Sequence, residues 1–232
     1  VEPLMQAWRH RLRVESVTTV GPGTVSIVVH GRHLEELRAE PGQFFRWRFL
    51  VRGSWLAAHP FSLSAPATEH RLRLTVKAAG DGTHLLQTLR PGTRVLAEGP
   101  YGAMTERRRT RHGILLIAGG VGITPMRTLF ESLTVTGPMT LIYRASTPAD
   151  LLFREELEHI ARSRRAELIY LVGRSSDPGN AITAENLTRL VADIRERDVY
   201  LCAAPGLSSA TRGALAGAGV PPRRIHQEEF AF

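Results

Sequence analysis

The sequence predicts two domains, a small antiparallel β-barrel over residues 1–105 and an α/β domain built on a parallel sheet over residues 106–232. Three observations predict it. The chain has 232 residues, longer than a typical single domain and close to two domains of roughly 100 to 120 residues. Its first half is a series of short strand-like segments separated by Gly-Pro and Pro-Gly turns. Its second half alternates apolar strand-like runs with helix-like stretches around one glycine-rich turn.

In order, strands are expected over Arg11–Val20, Thr24–His30, Gln43–Leu50, Arg71–Ala78 and Arg94–Ala97, punctuated by Gly21-Pro22-Gly23, Pro41-Gly42 and Pro91-Gly92. Short strands at this spacing suggest a small barrel. Period-two alternation is clearest in Arg71–Lys77, where Leu72, Leu74 and Val76 would face inward. A short helix over Asp81–Leu89 interrupts the pattern and Pro91 stops it. After the basic, turn-like segment Thr105–His112, strand candidates at Ile114–Ala118, Met139–Tyr143, Glu167–Val172 and Val199–Cys202 alternate with helix candidates at Pro125–Leu133, Pro148–Ser163, Ala184–Arg195 and Leu207–Gly217. The helix at Pro148 carries a start signal, Thr147-Pro-Ala-Asp150, with a capping Thr, a first-position Pro and an Asp near the positive end.

Composition narrows the function classes. No run approaches ~18 apolar residues, so no membrane span is predicted, and no signal-peptide pattern opens the chain. The single cysteine, Cys202, excludes a disulfide framework and an iron-sulfur cluster held by four cysteines of this chain. A reducing, cytoplasmic setting is expected. The net charge of +8 comes mostly from Arg, clustered at Arg107, Arg108, Arg109 and Arg111 and at Arg162, Arg164 and Arg165. An anionic lipid surface, an acidic protein and nucleic acid are all chemically suitable targets, and so is plain solvent. No nucleic-acid motif accompanies the charge.

The stretch from Gly113 to Leu133 reads as strand, turn, helix. Ile114–Ala118 is an uninterrupted apolar run, as in a strand buried on both faces. Gly119, Gly120 and Gly122, with Val121 between them, let the backbone turn tightly and approach a ligand. Thr124 and Pro125 open the helix, whose free N–H groups favour a phosphate or pyrophosphate. A purely structural strand-to-helix turn is the alternative.

Two further segments give these pieces a common meaning. His59-Pro60-Phe61-Ser62 and Thr75-Val76-Lys77-Ala-Ala-Gly80-Asp-Gly82-Thr83 bring the whole chain to resemble the ferredoxin-NADP reductase superfamily. The resemblance is strongest to the dehydrogenase domain of ferric reductases and NADPH oxidases. It implies an FAD-binding barrel and an α/β domain that presents NADPH or NADH to it. It implies that Phe61 lies along the isoalloxazine, that Ser62 reaches flavin N5, and that His59, a weaker anion clamp than Arg, contacts the ribityl and phosphate region. Lys77, Gly80, Gly82 and Thr83 would hold the pyrophosphate, which argues for FAD over FMN.

Downstream, Tyr200-Leu-Cys202-Ala203-Ala-Pro205 resembles the family's Cys-Gly-Pro segment beside the nicotinamide. Ala203 replaces the usual Gly, with a methyl that could crowd the dinucleotide. Cys202 either steers hydride transfer or is a small buried residue. The tail ending at Phe230 and Phe232 resembles the aromatic cover of the flavin face, which makes Phe232 a candidate gate. Arg144 and Arg174, each just after a strand, are expected to pair with a 2′-phosphate and favour NADPH. Val1–His10 looks like the juncture that follows a haem-bearing membrane domain. The acceptor implied is therefore the haem of a transmembrane domain or a redox protein; the alternatives are a soluble reductase for ferredoxin, flavin or a ferric siderophore, and a flavin-binding electron-transfer subunit with no turnover of its own.

Overall fold

A computed structural model describes residues 9–51, 57–177 and 179–228. They divide into two compact units, the first running to Ala103 and the second starting at Met104.

The first unit holds β1 (Arg13–Gly21), β2 (Thr24–His30), β3 (Phe44–Phe49), β4 (His59–Ser62), β5 (Arg71–Lys77), α1 (Asp81–Leu86) and β6 (Val95–Tyr101). Two antiparallel sheets form, β1-β2-β5 and β4-β3-β6. Single bridges at Arg13–Arg94 and Leu63–Leu74 join one sheet to the other. The expected alternation holds in β5, whose Leu72, Leu74 and Val76 are buried with Ile27, Phe45, Trp47, Phe49 and Leu86 in one core. Burying each large apolar side chain stabilises the unit by roughly 1.5–3 kcal/mol. The sequence did not mark β4 as a strand. It is four residues long and includes Pro60, which lacks a ladder donor; both are tolerated because β4 lies at a sheet edge.

The second unit is a five-stranded parallel sheet in the order β11-β10-β7-β8-β9, built from β7 (Gly113–Gly119), β8 (Met139–Ala145), β9 (Glu167–Val172), β10 (Arg197–Cys202) and β11 (Ile225–Gln227). The helices are α2 (Ile123–Ser132), α3 (Arg154–Arg164), α4 (Ala184–Leu190) and α5 (Pro205–Gly217). Every residue of β7 is buried, as its unbroken apolar run requires. From β7 the chain adds β8 and β9 on one side, then crosses to β10 and β11 on the other. The order reverses between β7 and β10, which is where open α/β sheets bind ligands at their carboxyl edge.

Two predicted helices of the second unit are shorter than expected. The stretch Pro148–Ser163 divides into a 3-10 turn at Pro148–Asp150 and α3. The phenol of Tyr143 accepts the Leu152 N–H at 3.2 Å, and Phe153 turns left-handed at φ 58°, so the helix restarts at Arg154. Likewise Ala184–Arg195 ends as a helix at Leu190, and a separate turn, Ile194–Glu196, leads into β10.

Two of the clustered arginines, Arg109 and Arg164, are built into the fold, whereas Arg107, Arg108, Arg111, Arg162 and Arg165 are exposed. Arg164 donates to the carbonyls of Glu131 and Leu133 at the end of α2, and Arg109 donates to Thr134 O, where cations also suit the helix dipole. No helix among the described residues is long and apolar enough to cross a membrane.

Candidate functional site

In the first unit the His-Pro-Phe-Ser segment is the strand β4, paired antiparallel to β3 with Phe61 opposite Phe45 and Ser62 opposite Phe44. The buried Trp47 donates from Nε1 to Phe61 O at 3.0 Å and fixes the strand from inside. His59 and Phe61 share a face, as alternate strand residues must, and their rings stack with centroids 5.9 Å apart and 15° between planes. A Cβ on Gly82 would stand 2.8 Å from His59 Cε1. The start of α1 therefore packs directly on the imidazole, and two motifs separate in the chain meet there.

Two polar atoms at this place are buried with no hydrogen-bond partner, Ser62 Oγ and His59 Nε2. A buried donor or acceptor left unmade costs roughly 1–3 kcal/mol, which is the mark of a surface shaped for a ligand's polar atoms. Burial also pushes the His59 pKa below its ordinary value of 6.5. The ring is neutral near neutrality, so toward an anion it has a hydrogen-bond donor to offer rather than a charge.

A pH dependence follows from the sign of that shift. Unfolded, His59 takes up a proton near 6.5; folded, it resists until lower pH, so the unfolded state binds more protons between the two values. The contribution of His59 to stability is intact above 6.5 and is lost as pH falls through the lower folded value. His59→Asn should flatten this acid limb in a plot of Tm against pH. An identical limb in the variant would assign it to another group.

Three residues expected to touch the cofactor serve the scaffold instead. Thr83 Oγ1 accepts from the backbone N–H groups of Ala79 and Gly80 at 2.8 and 3.0 Å and donates to Gly80 O at 2.8 Å. Its hydroxyl shapes the loop and has no capacity left for a phosphate. Thr75 is buried, and its hydroxyl joins a chain with Ser26 and Ser64 at 2.8 and 2.9 Å. Val76 is core. Lys77 is exposed at the end of β5, and Pro60 is exposed on β4.

In the second unit the glycine-rich turn follows β7 at the point where the sheet order reverses. Gly120 is left-handed at φ 53°, with open space where a side chain would begin. Gly122 faces the end of β10. A Cβ there would stand 2.6 Å from the Cys202 carbonyl carbon and closer still to its oxygen, so the turn and the Cys202 segment touch through backbone. Val121 is half-buried, whereas Thr124 and Pro125 are buried in the first turn of α2.

Cys202 is 2% exposed, and burial, helped by the Glu228 carboxylate, pushes its thiol up to about 12. It is a neutral thiol and not a nucleophile. The Ala203 methyl does not point where it was expected to crowd a ligand. It lies 2.9 Å from where a Gly119 Cβ would be, inside the core. Pro205 is exposed at the first position of α5.

Arg144 corrects a second expectation. It sits at the carboxyl edge of β8, but it is buried, with Nη1 donating to Ala145 O and Leu171 O and Nη2 to Gly173 O and Ser175 Oγ, at 2.7–3.0 Å. A guanidinium committed to four acceptors clamps β8 to β9 and cannot also clasp a 2′-phosphate. Arg174 is exposed, and its guanidinium has no hydrogen bond or ion pair among the described residues. Phe230, Phe232 and most of the Val1–His10 stretch lie outside the described residues.

A strand carrying unpartnered polar atoms in one unit, and a glycine turn at a parallel-sheet switch point in the other, suit one class of protein: a flavin- and nicotinamide-binding oxidoreductase. Comparison with known proteins makes this specific. Residues 10–105 match the family described as FAD-binding domain, and residues 116–213 match the family described as Oxidoreductase NAD-binding domain. The chain belongs to the ferredoxin-NADP reductase-like superfamily, with FAD and NAD(P) as its cofactors. The 3-ketosteroid-9-alpha-monooxygenase ferredoxin reductase component of Mycobacterium tuberculosis (strain CDC 1551 / Oshkosh) is 31% identical over 200 residues, covering 84% of this chain and 55% of that protein. The glycine betaine monooxygenase reductase subunit of Chromohalobacter salexigens is 25% identical over 205 residues, covering 82% and 56%. The chain thus spans little more than half the length of these relatives. In fold it is similar to the cytochrome b5 reductase domain of Ulva prolifera nitrate reductase, with a TM-score of 0.78 at 22% identity, covering 97% of this chain and 98% of that one.

The residues fit FAD. Ser62 Oγ and His59 Nε2 offer the two buried polar atoms that a bound ring system and its chain would satisfy, and Phe61 offers an aromatic surface.

Proposed function

We propose that this chain takes hydride from NADPH onto FAD and passes the electrons to a separate redox-protein acceptor. The observation that carries this reading is the pair of unpartnered buried atoms, Ser62 Oγ and His59 Nε2, on one flavin-motif strand. Bound FAD supplies the redox chemistry, accepting a hydride and releasing electrons singly or in pairs. The chain's own residues position and exclude. Ser62 Oγ would hydrogen-bond flavin N5, Phe61 would offer the ring an aromatic face, and Lys77 with the Gly80–Gly82 loop would hold the pyrophosphate. Cys202, a neutral thiol, would pack beside the nicotinamide and move no proton.

The relatives named as reductase components of monooxygenases support a protein acceptor. The single cysteine supports an acceptor beyond this chain, which cannot itself hold a four-cysteine cluster. A haem-bearing transmembrane domain is a narrower form of the same reading. Its support is sequence alone, in Val1–His10 and the basic run Arg107–Arg111 that suits an anionic membrane surface.

The test is a titration of the purified chain with FAD and with FMN, read as flavin spectrum and as NADPH oxidation with an artificial acceptor. FAD should restore both, bind reversibly, and do so far better than FMN. Equal restoration by FMN would remove the pyrophosphate role of Lys77 and its loop, and flavin binding without turnover would make the chain a carrier rather than an enzyme.

The NADPH preference rests on Arg174. Arg174→Ala should narrow the NADPH to NADH ratio of kcat/KM by about tenfold, the weight of one charge-assisted hydrogen bond. Arg144→Ala should lower Tm and leave that ratio alone. A ratio that follows Arg144 instead would reverse the assignment.

A further inference from the structure

Tyr143, on β8, is fully buried, yet its hydroxyl has three backbone neighbours, Gly120 O, Asp150 O and Leu152 N, each at 3.2 Å. Burial raises its pKa, so the phenol keeps its proton. It accepts the Leu152 N–H and has one O–H to give to the two carbonyls. Gly120 O also receives the Ile123 N–H, so this carbonyl is held on the inner side of the turn. In a trans peptide the C=O and the following N–H point opposite ways. Holding Gly120 O inward therefore turns Val121 N–H the opposite way, outward.

Asp150 O belongs to the Thr147-Pro-Ala-Asp150 turn and Leu152 N–H follows just after it. Within the turn Asp150 Oδ2 accepts from Thr147 N and Thr147 Oγ1 at 3.2 and 2.8 Å. The sequence read this turn as a helix start. In the structure it seats the phenol, and the helix begins only after it.

We propose that Tyr143 is a positioning residue for the dinucleotide: its hydroxyl fixes the Gly120–Val121 peptide so that Val121 N–H points outward to donate to a phosphate oxygen of NAD(P)H. This rests on the proposed function for the identity of the ligand, while the peptide geometry stands on the contacts above.

Tyr143→Phe keeps the ring and removes the hydroxyl. By titration calorimetry the Kd for NADP⁺ should rise about three- to tenfold, the usual weight of one hydrogen bond. The KM for NADPH should rise with it, while kcat and the affinity for FAD stay as they are. Without any dinucleotide, amide exchange at Leu152 and Ile123, whose N–H groups bond the phenol and Gly120 O, should speed up by a similar factor. Asp150→Ala, which loosens the turn behind the phenol, should move the same Kd in the same direction by less, and it decides the matter if Tyr143→Phe does not fold. A Kd unchanged in the folded variant, or FAD affinity falling in step with it, overturns the proposal. Wild-type protein that binds no NADP⁺ would instead overturn the proposed function and the phosphate role with it, and amide exchange would still decide the peptide geometry.

Discussion

Gly122→Ala is expected to abolish useful turnover with NADPH while leaving FAD binding intact. The added Cβ would stand 2.6 Å from the Cys202 carbonyl carbon, and both groups are backbone, so no side chain can swing away. The glycine turn or the end of β10 must shift by an appreciable fraction of an ångström. Displacements of that order at a positioning site lower kcat/KM on the order of 10²-fold. The second unit should also unfold at a lower temperature, because overpacking typically costs about 1–3 kcal/mol. The first unit holds the flavin motif separately, so its FAD affinity should stay within about twofold of wild type. Near-normal kcat/KM in Gly122→Ala would mean that the contact between the turn and the Cys202 segment is not part of the site.

Ser62→Ala should act in opposite directions on stability and on chemistry. Without flavin, the serine hydroxyl is buried at 4% exposure and unpartnered. Removing it should raise the stability of the FAD-free protein by about 1 kcal/mol. With FAD bound, the same change removes the hydrogen bond assigned to N5 and should slow flavin reduction by NADPH on the order of 10²-fold, as loss of a preorganised donor does elsewhere. A residue that merely packs would not give this pair of signs. Loss of stability together with unchanged reduction would return Ser62 to the barrel scaffold.

Much of the fold was legible in the sequence because the patterns that encode it are local. Leu72, Leu74 and Val76 alternate as a half-buried strand must, and the short apolar run of β7 suits a strand covered on both faces. What escaped depends on contacts between distant residues. Nothing in Thr147–Ser163 says that the helix restarts at Arg154, because the interruption is imposed by a phenol from β8. Nothing in Arg144 says that its guanidinium turns inward; every residue of β8 is buried, so strand parity cannot tell a ligand-facing side from a core-facing one.

The candidate site divides in the same way. His59, Phe61 and Ser62 were found by motif, and the structure adds the contact with Gly82 and the unpartnered atoms. Thr83 and Thr75 matched the motif equally well but turn their hydroxyls to Gly80 and to Ser64. Tyr143 was missed because a tyrosine inside an apolar strand reads as core. Its one available signal was the polar Thr-Pro-Ala-Asp turn a few residues on, which gives a buried hydroxyl something to bind.

The most direct measurement is rapid anaerobic mixing of the FAD-reconstituted chain with NADPH, followed by the absorption of oxidised flavin. Fast loss of that absorption in wild type, slowed in Ser62→Ala and nearly absent in Gly122→Ala, is the predicted result. Persistence of oxidised flavin in wild-type protein that demonstrably holds FAD would contradict hydride transfer by this chain.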